Sequence, residues 1–335
     1  MSDVTIERRS PGAAGPNEDL AQMFEAYRRE LTAHCYRMLG SAFDAEDAVQ
    51  ETFVRAWRAI DRFEGRAAFR TWLYRIATNV CVDVLKSGQR RARPMDLGPS
   101  VAPLESELRK RAEVTWIEPI PDAMIAEPDP ADVAVSRDTV RLAFVAALQT
   151  LPPRQRAVLI LCEVLQWKAA EVAELLEMSV PSVNSALQRA RATLKSSQVS
   201  SSEPLSAMDE AQRAVVERFV DAFQRYDMTA LTSIIRKDAI QSMPPYDMWL
   251  AGRDDILRWF FGPGIGCRGS RLIPTSGANG RPAFGQYKPS PSGTGYEPWA
   301  LVVLEPRADG IAELTFFLDT ARLFPLFGLP DRLAA

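Results

Sequence analysis

Seven prolines (Pro94, Pro99, Pro103, Pro119, Pro121, Pro128 and Pro130) crowd the stretch 94–135, and they divide what this chain can fold into. A proline inside a helix removes a backbone hydrogen bond and clashes with the preceding turn, so no continuous helix crosses such a run. The same stretch carries nine acidic residues against three basic ones, a balance of 3 − 9 = −6. Proline with like charge favours an extended, poorly packed connector, or a plain spacer.

The blocks on either side read as helices. In 17–93, Asn17 is placed to cap a helix whose apolar face is Leu20, Phe24, Tyr27, Leu31, Cys35 and Met38. A second helix starts at Asp44 with the stripe Val49, Phe53, Trp57 and Ile60. Gly65 interrupts the pattern, and a third helix follows over 67–86 with Phe69, Leu73, Ile76, Val80 and Val84 inward. The sum is a small helical bundle. In 136–197, Ser136 is placed to cap a helix bearing Val140, Phe144 and Leu148, and Leu151-Pro152-Pro153 opens the next. A short helix over 168–177 and a turn at Met178-Ser179 lead to a helix capped by Ser179, with Val183, Leu187 and Leu194 inward. Two short helices joined by a tight turn are the pattern of a helix-turn-helix.

Net charge is −3, so the whole chain is no nucleic-acid magnet. Locally, however, Arg66, Arg70, Arg75, Lys86, Arg90, Arg91 and Arg93 face only Asp83, and a mildly acidic total can conceal a basic face. The outward positions of the last helix are Ser182, Asn184, Ser185, Gln188, Arg189 and Arg191. Such groups either read base edges and phosphates or form an ordinary solvated face. Around the third helix, Arg70, Thr71, Trp72, Tyr74, Arg75, Thr78 and Asn79 interleave aromatics with arginine, as suits unpaired bases. Trp72 fits the core equally well. His34 is the single histidine and the four cysteines lack ligand spacing, which excludes imidazole-rich zinc sites and predicts no cofactor. No apolar run reaches the roughly 20 residues of a membrane span, so a cytoplasmic protein without membrane insertion is expected.

Three runs carry a family resemblance. Asp44-Ala45-Glu46-Asp47-Ala48-Val49-Gln50-Glu51-Thr52-Phe53-Val54-Arg55-Ala56-Trp57 resembles the core-polymerase-binding helix of sigma-70 family factors. Phe69-Arg70-Thr71-Trp72-Leu73-Tyr74-Arg75-Ile76-Ala77-Thr78-Asn79 resembles their promoter-melting helix. Leu151-Pro152-Pro153-Arg154-Gln155-Arg156 and Ser185-Ala186-Leu187-Gln188-Arg189-Ala190-Arg191 resemble their fourth region, and the order points to the extracytoplasmic-function group. The resemblance implies core-polymerase docking through Asp44, Asp47, Gln50, Glu51, Arg55 and Trp57. It implies −10 opening through Trp72, Tyr74, Arg75 and Asn79, and −35 reading through Ser182, Asn184, Ser185, Gln188, Arg189 and Arg191. It also makes 94–135 the connector that threads toward the polymerase active centre. Asn184 and Ala186 stand where the family commonly has a basic residue, which leaves the preferred −35 sequence open.

A serine-rich joint over 198–207 leads to 208–335, which is no part of a minimal sigma factor. Val216, Phe219, Val220 and Phe223 mark an opening helix, a short helix ends near Ile235, and strands are expected over 299–305 and 312–317. Helices first and strands last indicate α+β. Met243-Pro244-Pro245-Tyr246, Trp249, Gly252-Arg253 and Phe324-Pro325-Leu326-Phe327-Gly328-Leu329-Pro330 resemble the SnoaL-like, nuclear-transport-factor-2-like domain, whose curved sheet would surround a pocket of Tyr246, Trp249, Trp259, Arg281, Tyr287 and Asp319.

The expectation is therefore a multidomain chain of two all-α sigma domains plus an α+β domain with a curved sheet. Its expected partners are core RNA polymerase and promoter DNA. A small-molecule ligand of the last domain and a separate anti-sigma protein stay open. Asp319 is the sole candidate acid, and regulation is favoured over catalysis. The rivals are a helix-turn-helix regulator with a ligand-sensing domain, and a bifunctional protein with a SnoaL-like cyclase or isomerase.

Overall fold

The computed structural model describes residues 16–63, 68–87, 91–103, 108–110, 116–125, 139–196 and 208–334. It divides into two compact units, Met1–Gln89 with Met124–Ser202, and Arg90–Ala123 with Glu203–Ala335.

The first unit is helical. Helices α1 (Pro16–Leu39), α2 (Ala42–Ala59) and α3 (Phe69–Ser87) form one bundle. Ser41 caps α2 by accepting from the Asp44 amide at 3.2 Å, meeting one of the orphan donors of a helix start. The bundle core is Phe24, Leu31, Tyr36, Met38, Val49, Leu73 and Val80, with a stack of Phe24 on Phe53 and on Phe69 at 5.3 and 5.8 Å. Two expected inward residues point elsewhere: Trp57 and Val84 are each 40% exposed. Small residues, Ala45, Ala48, Thr52 and Ala56, fill the buried face of α2 instead. They let the helix approach so closely that the large side chains are displaced to its margin. Asn17 falls inside α1, since the helix already starts at Pro16. Gly65 and Ser136 lie outside the described residues.

Helices α4 (Leu142–Gln149), α5 (Pro153–Leu159, continued by a π turn over Ile160–Val164), α6 (Ala169–Leu175) and α7 (Val180–Ser196) complete this unit. Arg156 stitches the two helical groups together. Buried to 4% exposure, it donates to the Met38 carbonyl, to Gln149 Oε1 at 2.5 Å and to the Leu151 carbonyl at 3.1 Å. A buried guanidinium is tolerable only with such a set of acceptors.

In the second unit, helices α8 (Glu210–Arg225), α9 (Met228–Ile234) and α10 (Arg253–Phe261) accompany a six-stranded mixed sheet. Its strands are β1 (Ile235–Ser242), β2 (Trp249–Ala251), β3 (Arg271–Pro274), β4 (Ala283–Pro289), β5 (Tyr296–Arg307) and β6 (Gly310–Phe317), in the order β2-β1-β6-β5-β4-β3. Only β1 and β6 run parallel. Alternation assigns Ala300, Val302, Leu304, Leu314 and Phe316 to one face, where they join Phe219, Phe223, Trp259 and Phe260 in a continuous apolar core. The strands expected over 299–305 and 312–317 are thus present and slightly longer. Helix α11 (Thr320–Leu326) follows β6, and its Phe324 meets Tyr287 edge-on at 5.1 Å.

The proline-rich connector does not behave as composition suggests. Its described residues up to Ala123 belong to the second unit and are bonded to it through the main chain. Val101 N–H donates to Trp249 O at 3.1 Å, and Trp249 Nε1 returns to Gly98 O at 2.9 Å. Ile120 N–H donates to Asn279 Oδ1 and Asn279 N–H to Ile120 O, both at 3.1 Å. Asp122 N–H reaches Gly277 O at 3.2 Å while its carboxylate accepts from Gly280 N–H at 2.7 Å. Gly277 has φ +95°, and a Cβ there would stand 2.5 Å from Asp122 Oδ2, so this turn admits the connector only as glycine. Proline removes donors, not acceptors, so a proline-rich strap can still be held by its remaining amides and carbonyls.

Candidate nucleic-acid and polymerase interface

Helix α7 is fixed at its start by Ser179, whose Oγ accepts from the Ser182 amide at 3.3 Å. Val183, Ala186 and Ala190 anchor it, which turns Ser182, Asn184, Ser185, Gln188, Arg189 and Arg191 outward; all six are exposed. Arg191 is ion-paired with Glu163 on the π turn, both partners being largely in solvent. Helix α6 precedes it across a turn in which Glu177 takes a left-handed φ of +54°. The expected helix-turn-helix is formed, with its polar set on one accessible face.

On α2, Asp47, Gln50, Glu51, Arg55 and Trp57 are exposed and Asp44 is half-buried. Arg55 bonds Glu51 at 2.7 Å and lies 3.5 Å from Asp83 of α3. The hydrogen bond that Arg55 donates to Glu51 raises the Arg55 pKa, and Lys86 with Arg55 lowers that of Asp83, so Arg55 and Asp83 keep their charge at neutral pH. Val54, 42% exposed, sits one turn from Trp57. This apolar pair inside a charged face is the composition of a protein-docking surface, and Val54 was not among the expected docking residues. Periodicity alone cannot flag a single exposed valine.

Helix α3 is different. Arg75 and Asn79 are exposed and Trp72 is half-buried, packed on Phe63 at 4.9 Å and Phe69 at 5.7 Å. Tyr74 departs from expectation: it is fully buried. Its ring meets His34 at 5.1 Å and Trp167 at 5.2 Å, Arg70 lies over it at 5.0 Å, and its hydroxyl donates to Glu30 at 3.3 Å. In this arrangement Tyr74 is a core residue and offers no face to a base. Arg75 is ion-paired with Glu177 of the helix-turn-helix turn. Behind Tyr74, His34 is buried and hydrogen-bonded to Thr78 at 3.0 Å. Desolvation, with Arg37 and Arg70 nearby, pulls its pKa down to about 3, so it is neutral.

The six residues expected to line a C-terminal pocket are each packed or bonded against other residues of the second unit. Trp259 belongs to the helix-side core, and Tyr287 is buried with its hydroxyl on Pro330 O at 2.7 Å, its pKa pushed up to about 12 by burial. Arg281 pairs with Glu305 at 2.7 Å. Trp249 holds Gly98, and Tyr246 lies under the Lys110 ammonium at 5.7 Å. Asp319 lines a recess beside Glu118, with its carboxylate 3.7 Å from Arg322.

A capped, exposed recognition helix joined to a helical bundle defines a promoter-recognition protein, and the comparisons specify which. The Sigma-70 region 2 model matches residues 23–91 and the Sigma-70, region 4 model matches 141–194. The ECF RNA polymerase sigma factor SigG of Mycobacterium tuberculosis is 45% identical over 99% of this chain and 90% of its own length. SigW of Bacillus subtilis, also an ECF RNA polymerase sigma factor, is 30% identical over 54% of this chain and 89% of its own. The crystal structure of the Mycobacterium tuberculosis extracytoplasmic function sigma factor SigJ shares the fold with a TM-score of 0.59 at 22% identity, covering 92% of this chain and 100% of that one. The chain belongs to the extracytoplasmic-function sigma factors of RNA polymerase, with two helical sigma modules and a C-terminal mixed-sheet domain. It is a transcription initiation factor. Among the described residues, no helix is long and apolar enough to cross a membrane.

Proposed function

We propose that this sigma factor docks on core polymerase through the α2 face of Asp47, Gln50, Glu51, Val54, Arg55 and Trp57. In this reading α7 enters the −35 major groove, while Arg75, Asn79 and Trp72 hold the opened −10 strand. The residues 208–335 form a SnoaL-like domain that regulates and does not catalyse. It works in the cytoplasm, where the polymerase is, and it takes the place a separate anti-sigma protein would otherwise fill.

One observation carries the regulatory part: the connector between the two promoter modules is bonded to the C-terminal domain at Gly98, Val101, Ile120 and Asp122. A connector held there is withdrawn from the path it takes in the family toward the polymerase active centre. Initiation then requires its release, and the domain sets the fraction of molecules able to initiate. Asp319 favours this reading over catalysis, because it and the neighbouring Glu118 are both held by Arg322, at 3.7 and 2.9 Å.

Run-off transcription with purified core polymerase tests the proposal. Asn279→Ala removes one of the paired bonds to Ile120, leaving a buried amide unsatisfied at a cost of about 1–3 kcal/mol. It should raise transcript yield from a cognate promoter, whereas Asp319→Asn should not. Equal yields from wild type and Asn279→Ala would dismiss the domain as a passenger. Turnover of a small molecule that disappears in Asp319→Asn would make it an enzyme.

A further inference from the structure

Two of the six outward residues of α7 carry charge, Arg189 and Arg191, and they are not equally available. Arg189 has no carboxylate partner among the described residues, whereas Arg191 is ion-paired with Glu163, the arginine side chain being 62% exposed and the carboxylate 41%. The main chain fixes where Glu163 stands. Helix α5 widens into its π turn, in which Leu165 N–H donates to Ile160 O at 3.0 Å, and it ends at Gln166, whose φ of +56° is left-handed. Trp167 N–H closes that end on Leu161 O at 3.0 Å, and the Gln166 side chain donates to the Glu163 carbonyl. Glu163 thus occupies the last turn of a helix, where the unmatched carbonyls favour a cation and disfavour a carboxylate. Arg191 supplies that cation from the recognition helix.

A guanidinium fork grips a carboxylate and a phosphate with the same donors. Glu163 therefore offers Arg191, from within the chain, what the DNA backbone offers it from outside. A duplex that engages Arg191 must first take it from this carboxylate. We propose that Glu163 stands in for a DNA phosphate, masking Arg191 and so setting the affinity of α7 for duplex. Glu163 is a positioning residue, acting on DNA only through Arg191. Phosphate contacts carry no sequence information. The mask accordingly lowers affinity for every duplex alike and leaves a larger share of the binding to the base edges that Gln188 and its neighbours read. The inference rests on α7 entering the −35 groove, and Arg191→Ala tests that premise by itself.

The test uses holoenzyme reconstituted from the full-length chain and core polymerase. It is titrated, at several salt concentrations, against a promoter fragment from which it initiates and against the same fragment with a scrambled −35 element. Glu163→Gln keeps the size of the side chain and removes its charge. It should tighten both fragments about two- to fivefold at low salt, the range of an exposed ion pair, with the melting temperature unchanged. The gain should shrink as salt rises, because salt screens the pair in the wild type, so the variant shows the steeper salt dependence. A purely structural role would not move that slope. In an Arg191→Ala background, Glu163→Gln should change neither affinity nor slope. Arg191→Ala binding both fragments as tightly as the wild type would remove the premise, and the proposal with it. With the premise standing, three results overturn the proposal: unchanged affinity in Glu163→Gln, which makes the pair idle; lower affinity, which makes Glu163 an aid to phosphate binding; and an equal gain without Arg191, which makes Glu163 repel DNA directly.

Discussion

The two helices that the proposed function sets against promoter DNA are prepared to different degrees. Helix α7 presents six polar side chains on one exposed face, with Ser182 bonded to the Ser179 hydroxyl and Arg191 held by Glu163 across an exposed pair worth about 0–1 kcal/mol. Helix α3 has Tyr74 buried under Trp167, Trp72 half-covered by Phe63 and Phe69, and Arg75 paired with Glu177. On the proposed reading, duplex recognition asks little of the first unit beyond approach, whereas holding a single strand asks Glu177 to release Arg75. A helix that reads intact duplex can be finished in the free protein. One that captures unpaired bases here keeps its aromatic surface out of water, Trp72 against Phe63 and Phe69 and Tyr74 against Trp167.

The largest way to break this comparison is Tyr74→Ala. If Tyr74 is core, truncation costs about 3–5 kcal/mol, as for other large buried aromatics, and the denaturation midpoint falls before any promoter effect is seen. Normal stability with defective strand opening would instead return Tyr74 to the DNA-contacting set. Next in size, Gln188→Ala should lose about 1–3 kcal/mol of discrimination at one −35 base pair. Arg189→Ala should weaken all sequences alike and lower the salt slope of binding by about one. Promoter titrations at several salt concentrations separate the two; identical behaviour would leave α7 merely solvated.

His34 sharpens the core side of the comparison. Its pKa is down to about 3 in the fold against 6.5 as its ordinary value, so the unfolded chain binds the extra proton first. Stability should therefore decline as pH falls below about 6.5 and continue declining toward 3, by at most about 1.4 kcal/mol per pH unit from this group. Urea midpoints of wild type and His34→Gln across that window should differ in slope, the variant being flatter. The smallest effect belongs to Glu177→Lys, which cuts the exposed tie to Arg75 at a cost of about 0–1 kcal/mol. It should leave the melting temperature nearly unchanged and increase permanganate reactivity of the −10 thymines; lower reactivity would show that the pair assists opening.

Much of this was legible in the sequence because it is local. Apolar spacing located α1, α3 and α7, and the Ser179 cap with its outward polar set was readable residue by residue. Trp57 was harder: the stripe Val49, Phe53 and Trp57 is helical in period, but the alanines beside it decide which flank meets the bundle. The connector was not legible for a different reason. Acidic, proline-rich composition describes a free tether and a main-chain-bonded strap equally, and the bonds that distinguish them join residues 159 apart, Ile120 and Asn279. The partners of the pocket set were illegible for the same reason, since Tyr287, Arg281 and Trp249 look available until Pro330, Glu305 and Gly98 are known to hold them.

The claim that most needs testing is that the connector is docked on the C-terminal domain in the free factor and released during initiation. Amide hydrogen exchange at Val101, Ile120 and Asp122, measured first on the free chain and then in the open complex with core polymerase and promoter DNA, addresses it directly. These amides donate to Trp249 O, Asn279 Oδ1 and Gly277 O. The account predicts protection in the free factor and its loss in the open complex. Protection that persists unchanged in the open complex would contradict it.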